Sequence, residues 1–251
     1  MGLLLYKQQT GAFLSNSVQE QLRASLERWG SAQLIVPSSD AVLLVKRQLG
    51  AIQELSVGVN VSTFDEWMRD QWKLYGSSDR LLSTTLRKVF FQQILDGISA
   101  DELGTLNNSK GTVELLSKLA PEYLTELDQI VVSGQLSAGQ MSACKVLERY
   151  KVLLEEKSYV EMCQCLDYLL RLIPAQGAAL VFSRVEGLSE ARLKFVRKLS
   201  QKREVAFSLY VPEGPAGYAA EQQLELVGGP GCDCRVDAEP APAAKSQELN
   251  D

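Results

Sequence analysis

The chain has 251 residues, of which 45% are hydrophobic and 23% charged, with a formal charge of −5 and no histidine. That length can bury one large or two modest cores, and no apolar run approaches the roughly 20 residues of a membrane span, so no membrane partner is expected. The charge is uneven: from Pro212 onward eight acids face Arg235 and Lys245, a balance of −6 that leaves +1 for the rest, so any DNA contact has to come from local basic patches.

Leu3-Leu4-Leu5-Tyr6 reads as a buried strand, Gln8-Gln9-Thr10-Gly11 as a polar turn, and Ser17 to about Trp29 as a helix. Strand, turn and helix in that order form the layout of a phosphate-binding loop. Such a loop needs several glycines, so that backbone N–H groups can wrap phosphates, followed by Lys and Ser/Thr for charge and magnesium. Here Thr10-Gly11-Ala12-Phe13-Leu14-Ser15-Asn16-Ser17 holds one glycine and no Gly-Lys-Ser/Thr. Thr10, Gly11, Ser15 and Ser17 are the remnants of a degenerate first turn, and no cofactor is expected there.

Gln33 to Val36 reads as a second strand stopped by Pro37, with Ser38, Ser39 or Asp40 to cap a helix from Ala41 to Leu49 closed by Gly50. A third strand is expected from Val57 to Val61. Thr63 and Glu66 then stand at capping-box spacing before a helix that reaches Tyr75 and ends at Gly76. Three strand–helix units with apolar strands argue for a parallel sheet covered on both faces.

From Ser83 to Ile173 only helical periodicity is visible: Leu86 to Ile98, Val113 to Val132 with a break or kink at Pro121, Ser137 to Glu155, and Tyr159 to Leu172. Strand-like sequence returns at Ala178 to Phe182. It is followed by a helix from Ser189 to about Lys202 and a strand from Glu204 to Val211. The expected organisation is a RecA-like α/β lobe over 1–78 and 174–212, interrupted by a helical insertion over 79–173. A loose acidic Gly/Pro/Ala-rich tail over 213–251 is expected to follow, the chain reading as a piece of something longer.

The loops after the strands, at the edge where open α/β sheets bind ligands, carry Thr10, Ser15, Ser17 and Ser38 as hydroxyls that could meet a phosphate. Asp40, Asp65, Glu66 and Glu186 are carboxylates explained by capping and solvation. Phe64, Trp67, Met68 and Tyr75 build one apolar helix face, whereas Trp72 falls off that stripe and reads as a partner contact. Arg192, Lys194, Arg197, Lys198, Lys202 and Arg203 cluster within 12 residues and could touch a phosphate backbone. Cys163/Cys165 and Cys232/Cys234 stand at Cys-x-Cys spacing. Helical residues two apart diverge by about 200°, and without histidine neither a self-contained zinc site nor a Ser-His or Cys-His nucleophile pair is expected. The absence of a basic-then-apolar leader points to the cytoplasm.

Particular phrases resemble the N-terminal region of the AddB/RexB subunit of bacterial ATP-dependent helicase-nuclease complexes. They are Leu34-Ile35-Val36-Pro37; Val59 through Trp67; Leu81-Leu82-Ser83 with Arg87; Glu148-Arg149-Tyr150; and Asp167-Tyr168-Leu169. The most telling is Ala179-Leu180-Val181-Phe182-Ser183-Arg184-Val185-Glu186-Gly187-Leu188, which resembles the family's strand ending in a Phe-Asp-Gly-Phe-like loop. The resemblance covers residues 1 to about 211. It implies the first RecA-like lobe of a superfamily 1 helicase fold in a subunit that has given up being a motor. Such a module serves as a scaffold that holds DNA, weakly and in a salt-sensitive way, and a partner AddA/RexA-type helicase subunit during double-strand break repair and recombination. Full-length members carry exonuclease activity in a C-terminal domain, none of whose residues map onto this sequence. Ser38, Ser62, Thr63, Trp72, Arg87, Arg184, Lys194, Arg197 and Lys198 are the candidate DNA or partner contacts. Two other readings stand beside this one: a free-standing α/β enzyme that binds a nucleotide or sugar phosphate, and a module that docks a protein partner.

Overall fold

The computed structural model describes residues 2–99, 103–104, 106–132, 134, 136–229 and 234–237. In chain order the elements are β1 (Leu3–Gln8), α1 (Asn16–Trp29), β2 (Ala32–Val36), α2 (Ser39–Gly50), β3 (Val59–Thr63), α3 (Phe64–Tyr75), β4 (Arg80–Leu81) and α4 (Thr84–Gly97). There follow α5 (Lys110–Tyr123), α6 (Leu127–Val132), α7 (Ala138–Lys157), β5 (Tyr159–Val160) and α8 (Met162–Leu172). The last are β6 (Leu180–Ser183), α9 (Glu190–Ser200), β7 (Val205–Tyr210), α10 (Tyr218–Gly228) and β8 (Cys234–Asp237). The described residues divide into two compact units, one drawn from 2–67, 174–188, 196–229 and 234–237, the other from those within 68–173 and 189–195.

The first unit is a RecA-like α/β fold whose six strands are parallel, in the order β3-β2-β6-β7-β1-β8. The sheet begun by β1 to β3 is thus resumed by β6, which pairs with β2 (Ile35 opposite Phe182), and by β7. Strands β6 and β7 read as continuous apolar runs because both their faces are covered: every residue of β6 and Val205 to Leu209 of β7 are buried, and Phe182 stacks on Phe207 at 4.9 Å. One face packs Val18 and Leu22 of α1 and Val45 and Leu49 of α2 against Leu34, Val61, Val181 and Ala206. Helix α1 stops at Gly30, whose left-handed φ of 68° lets its N–H reach the Leu26 carbonyl at 2.8 Å. Strand β3 begins at Val59, two residues later than the expected Val57. Gly58 before it takes φ 87°, and an added Cβ there would come within 2.7 Å of Leu26 Cδ2.

The expected loose tail is corrected over the residues described. Ala220, Leu224 and Val227, at i, i+4 and i+7, are the buried face of α10, and β8 supplies β1 with a second neighbour, Gln8 opposite Asp237. Residues 238–251 lie outside the described residues, as does Cys232 of the second Cys-x-Cys pair.

The second unit is helical, with one exception to the expectation. Tyr159 and Val160 do not open the last helix but pair in parallel with Arg80 and Leu81. Ser158, at φ 54°, ends α7 in a left-handed turn, so the chain leaves the helical direction before α8 starts. Pro121 lies in the last turns of α5, and a separate α6 follows, which is the break expected there. The core gathers Phe91 and Leu95 from α4, Leu116 and Ala120 from α5, and Tyr150 and Leu154 from α7, with the Phe91 and Tyr150 rings stacked 4.2 Å apart.

Candidate functional site at the carboxyl edge of the sheet

Strands β2 and β6 are neighbours whose following connections run in opposite directions, β2 outward to β3 and β6 inward to β7. Open α/β sheets bind ligands in the crevice outside such a pair. Ser38 follows β2 there and caps α2 by accepting the Ala41 N–H at 3.2 Å; Arg184 follows β6. Arg184 takes φ 56°, an unfavourable backbone state for a residue with a side chain. Its own N–H is bonded to the Ser208 carbonyl at 2.8 Å, its guanidinium donates to the Gly11 carbonyl, and it lies 4.7 Å from the Phe13 ring centre. The rest of this loop is tied to α10, where Gln223 accepts from Gly187 N–H and donates to the Val185 carbonyl, both at 2.7 Å.

The first turn is closed around the buried Gln8 side chain. With its amide oxygen facing the hydroxyls of Ser208 (2.8 Å) and Ser15 (3.2 Å), its nitrogen donates to the carbonyls of Ala12 (3.0 Å) and Thr10 (3.1 Å). The reverse orientation keeps the two serine contacts but leaves both carbonyls without that donor. Ser183 Oγ donates to the Phe13 carbonyl at 2.6 Å. Carbonyls 10 to 13 are therefore each met by a side-chain donor. A phosphate-binding loop does the opposite and aims N–H groups inward. Gly11 has no positive φ, so this turn lacks the curvature that glycine-rich loops exploit.

At the start of α1, Ser15 is the N-cap residue, and its hydroxyl lies 3.2 Å from that of Ser17. Ser17 donates twice to Asp237 of β8: its N–H to Oδ1 at 3.1 Å and its hydroxyl to Oδ2 at 2.6 Å. A carboxylate thus stands where a helix N-terminus favours an anion. A cavity of about 610 Å³ opens beside this turn, lined by Gln9, Tyr210 and Glu213 among others. Its cation, Lys7, is engaged by Glu221 at 2.8 Å, a contact that raises the Lys7 pKa.

Other candidates have structural partners. Ser62 is buried within β3 and accepts from Gln33 at 2.9 Å. Thr63 makes the expected capping box, its hydroxyl accepting from Glu66 N–H and its own N–H donating to the Glu66 carboxylate at 2.9 Å. Trp72 is corrected as a contact: it is 8% exposed, its indole donates to the Asp79 carbonyl at 2.8 Å, and its ring lies 5.4 Å from Tyr168. Four residues on from Met68, Trp72 widens the apolar stripe of α3, while Arg69, Asp70 and Lys73 opposite are exposed. Arg87 is also corrected. Also 8% exposed, it holds Glu161 with Nε at 2.6 Å and Nη2 at 2.7 Å, and the Tyr150 hydroxyl donates to the same carboxylate. Burial first and the Glu161 charge second hold the Tyr150 phenol well above its usual range.

The basic cluster of α9 does not present one open face. Lys194 pairs with Glu190 at 2.8 Å, Arg192 lies 3.7 Å from Glu122, and Arg203 donates to the Ala178 carbonyl. Arg197 and Lys198 are exposed, with Arg197 packed over Gly229, where an added Cβ would come within 2.7 Å of its Nη2. Among the described residues no group of three His, Cys, Asp or Glu is placed to hold a metal, and no helix is long and apolar enough to cross a membrane.

Sequence reasoning missed Gln8, Ser208, Asp237 and Glu161. The spacing of Ala220, Leu224 and Val227 was the available signal that the chain continues as structure toward Asp237. Fold and edge together define a RecA-like α/β unit with a carbonyl-lined first turn. No protein-family model matches the sequence, and no curated protein matches it either.

Proposed function

We propose that this chain is the N-terminal, helicase-like scaffold module of an AddB/RexB-type helicase-nuclease subunit, acting in the cytoplasm in double-strand break repair and recombination. It contacts DNA and the partner helicase subunit and hydrolyses no ATP of its own. The observation that carries the reading is the first turn: a RecA-like strand-turn-helix whose carbonyls 10 to 13 face protein donors and whose sequence lacks the phosphate-binding lysine. The sequence resemblance and the resumption of the sheet by β6 support it. Ser38 and Arg184 at the crevice, with Arg197 and Lys198 on α9, are the remaining DNA-contact candidates.

The test is fluorescence anisotropy of labelled duplex and single-stranded DNA against the full chain at several salt concentrations, beside an ATPase assay. The expected result is weak binding that falls linearly on a log–log salt plot and ATP turnover at background. Binding to neither DNA at low salt, or turnover above background, overturns it.

A further inference from the structure

We propose that the groove between α4 and α7 of the helical unit docks a basic amphipathic helix of a protein partner. The groove encloses about 430 Å³. Its floor is Ile94 of the helical core and Leu153 packed against that core. On α4, Val89, Gln93 and Gly97 stand at i, i+4 and i+8 and form one row along the helix. Val89 is 53% exposed, and Gly97 leaves the end of the row without a side chain: a Cβ added there would meet no neighbouring atom within 4 Å. On α7, Glu148, Val152 and Glu156 form a row at the same spacing, all exposed, with Val152 at 54%. An apolar strip between two helices, with a gap at one end, takes the ridge of a third helix.

Charge selects the kind of helix. Among the described residues, Glu148 and Glu156 make no hydrogen bond or ion pair, whereas Arg149, the cation of the lining, already has a partner in the chain. The two carboxylates stand two helical turns apart, about 12 Å along the axis. A partner helix answers both by carrying Lys or Arg two turns apart, with apolar residues between them on the same face.

The same charges disfavour other occupants. A symmetric contact with a second copy would set these acids against each other, and a nucleic-acid backbone would be repelled. The inference is therefore independent of the helicase-like reading and stands if the chain never meets DNA. Two turns of helix bury little surface, so binding is in the micromolar range or weaker.

The test is fluorescence anisotropy of the full chain with labelled, stapled helices of about 15 residues. One has leucines at i, i+4 and i+7 with lysines at both ends of that row; a second has glutamates for the lysines; a third has the composition of the first with the leucines spread around the helix. The lysine helix is expected to bind at least about tenfold more tightly than either of the others. E148K/E156K should reverse the preference between lysine and glutamate helices, and G97L, which fills the gap, should weaken the lysine helix at least about tenfold at unchanged melting temperature. Should the charge-reversed variant fail to fold, E148Q/E156Q should bind the two charged helices about equally. Equal binding of the ordered and scrambled lysine helices, a lysine preference that survives removal of both carboxylates, or no binding at all overturns the proposal. So does sedimentation showing a wild-type dimer that G97L dissociates, which would make the groove an interface between copies.

Discussion

Glu161, with no exposed surface, receives both a two-point clasp from Arg87 and the Tyr150 hydroxyl, so three polar groups of the helical unit satisfy one another away from water. Removing one partner of such a pair strands the other charge in the interior. Glu161→Gln is expected to destabilise the chain by about 3–5 kcal/mol, whereas R87M/Y150F/E161L should recover most of that loss because neither a charge nor a hydroxyl is left buried without a partner. Urea unfolding of the single and triple variants measures both. A single variant as stable as wild type would mean the pair is open to solvent.

Two thiols flank the same carboxylate on α8. Burial first, then the Glu161 charge, pushes Cys163 up to about 11; burial first, then Cys163, pushes Cys165 up to about 12. Native protein at pH 8 should therefore leave both unalkylated by iodoacetamide, with mass spectrometry showing modification after unfolding. The linkage has a definite sign. Unfolded thiols ionise near pH 8.5, and the folded ones stay protonated well above it. Stability is full below about pH 8.5 and falls as pH rises toward the folded values, by up to about tenfold in the equilibrium constant per pH unit for each thiol.

The local elements of this fold and the resumption of its sheet at β6 were legible, whereas the long-range polar pairings were not. Strands β1 and β2, helix α3 with its Thr63–Glu66 box, and the break after Pro121 are each determined within a few neighbouring residues. Helical periodicity identifies an apolar stripe but not how far its flank is covered, which is why Trp72, four residues on from Met68, read as a contact while Tyr168 covers it. Arg87 looked like a surface base because its acid lies 74 residues away, and Asp237 looked like tail because its partner Ser17 lies 220 residues away. Cys234-Arg235-Val236-Asp237 does alternate, but four residues is the shortest run in which a period of two can be read.

The Thr63 hydroxyl has a visible task at the start of α3, accepting the Glu66 N–H at 3.2 Å. Thr63→Ala should cost about 1 kcal/mol, the usual effect of losing an N-cap oxygen, and Thr63→Ser should restore most of it. If the residue serves as a cap rather than a DNA contact, both variants keep the wild-type anisotropy isotherm while their urea midpoints differ. A lowered DNA affinity in Thr63→Ser at full stability would give the hydroxyl a second role.

Arg184 permits a sharper separation of scaffold from contact, because its backbone and side chain pull in opposite directions. At φ 56° a residue with a Cβ is strained by about 1–2 kcal/mol, while the side chain contributes its bond to the Gly11 carbonyl and its place over Phe13. Arg184→Ala keeps the strain and loses the contacts, so it should destabilise by about 1–2 kcal/mol. Arg184→Gly loses the same contacts but relieves the strain, and should lie within about 1 kcal/mol of wild type. If the guanidinium also meets a DNA phosphate, both variants lower affinity equally, and each reduces the magnitude of the salt slope by about 1, despite their different stabilities. If affinity instead follows stability, with glycine binding like wild type, Arg184 holds the first turn and does not touch DNA.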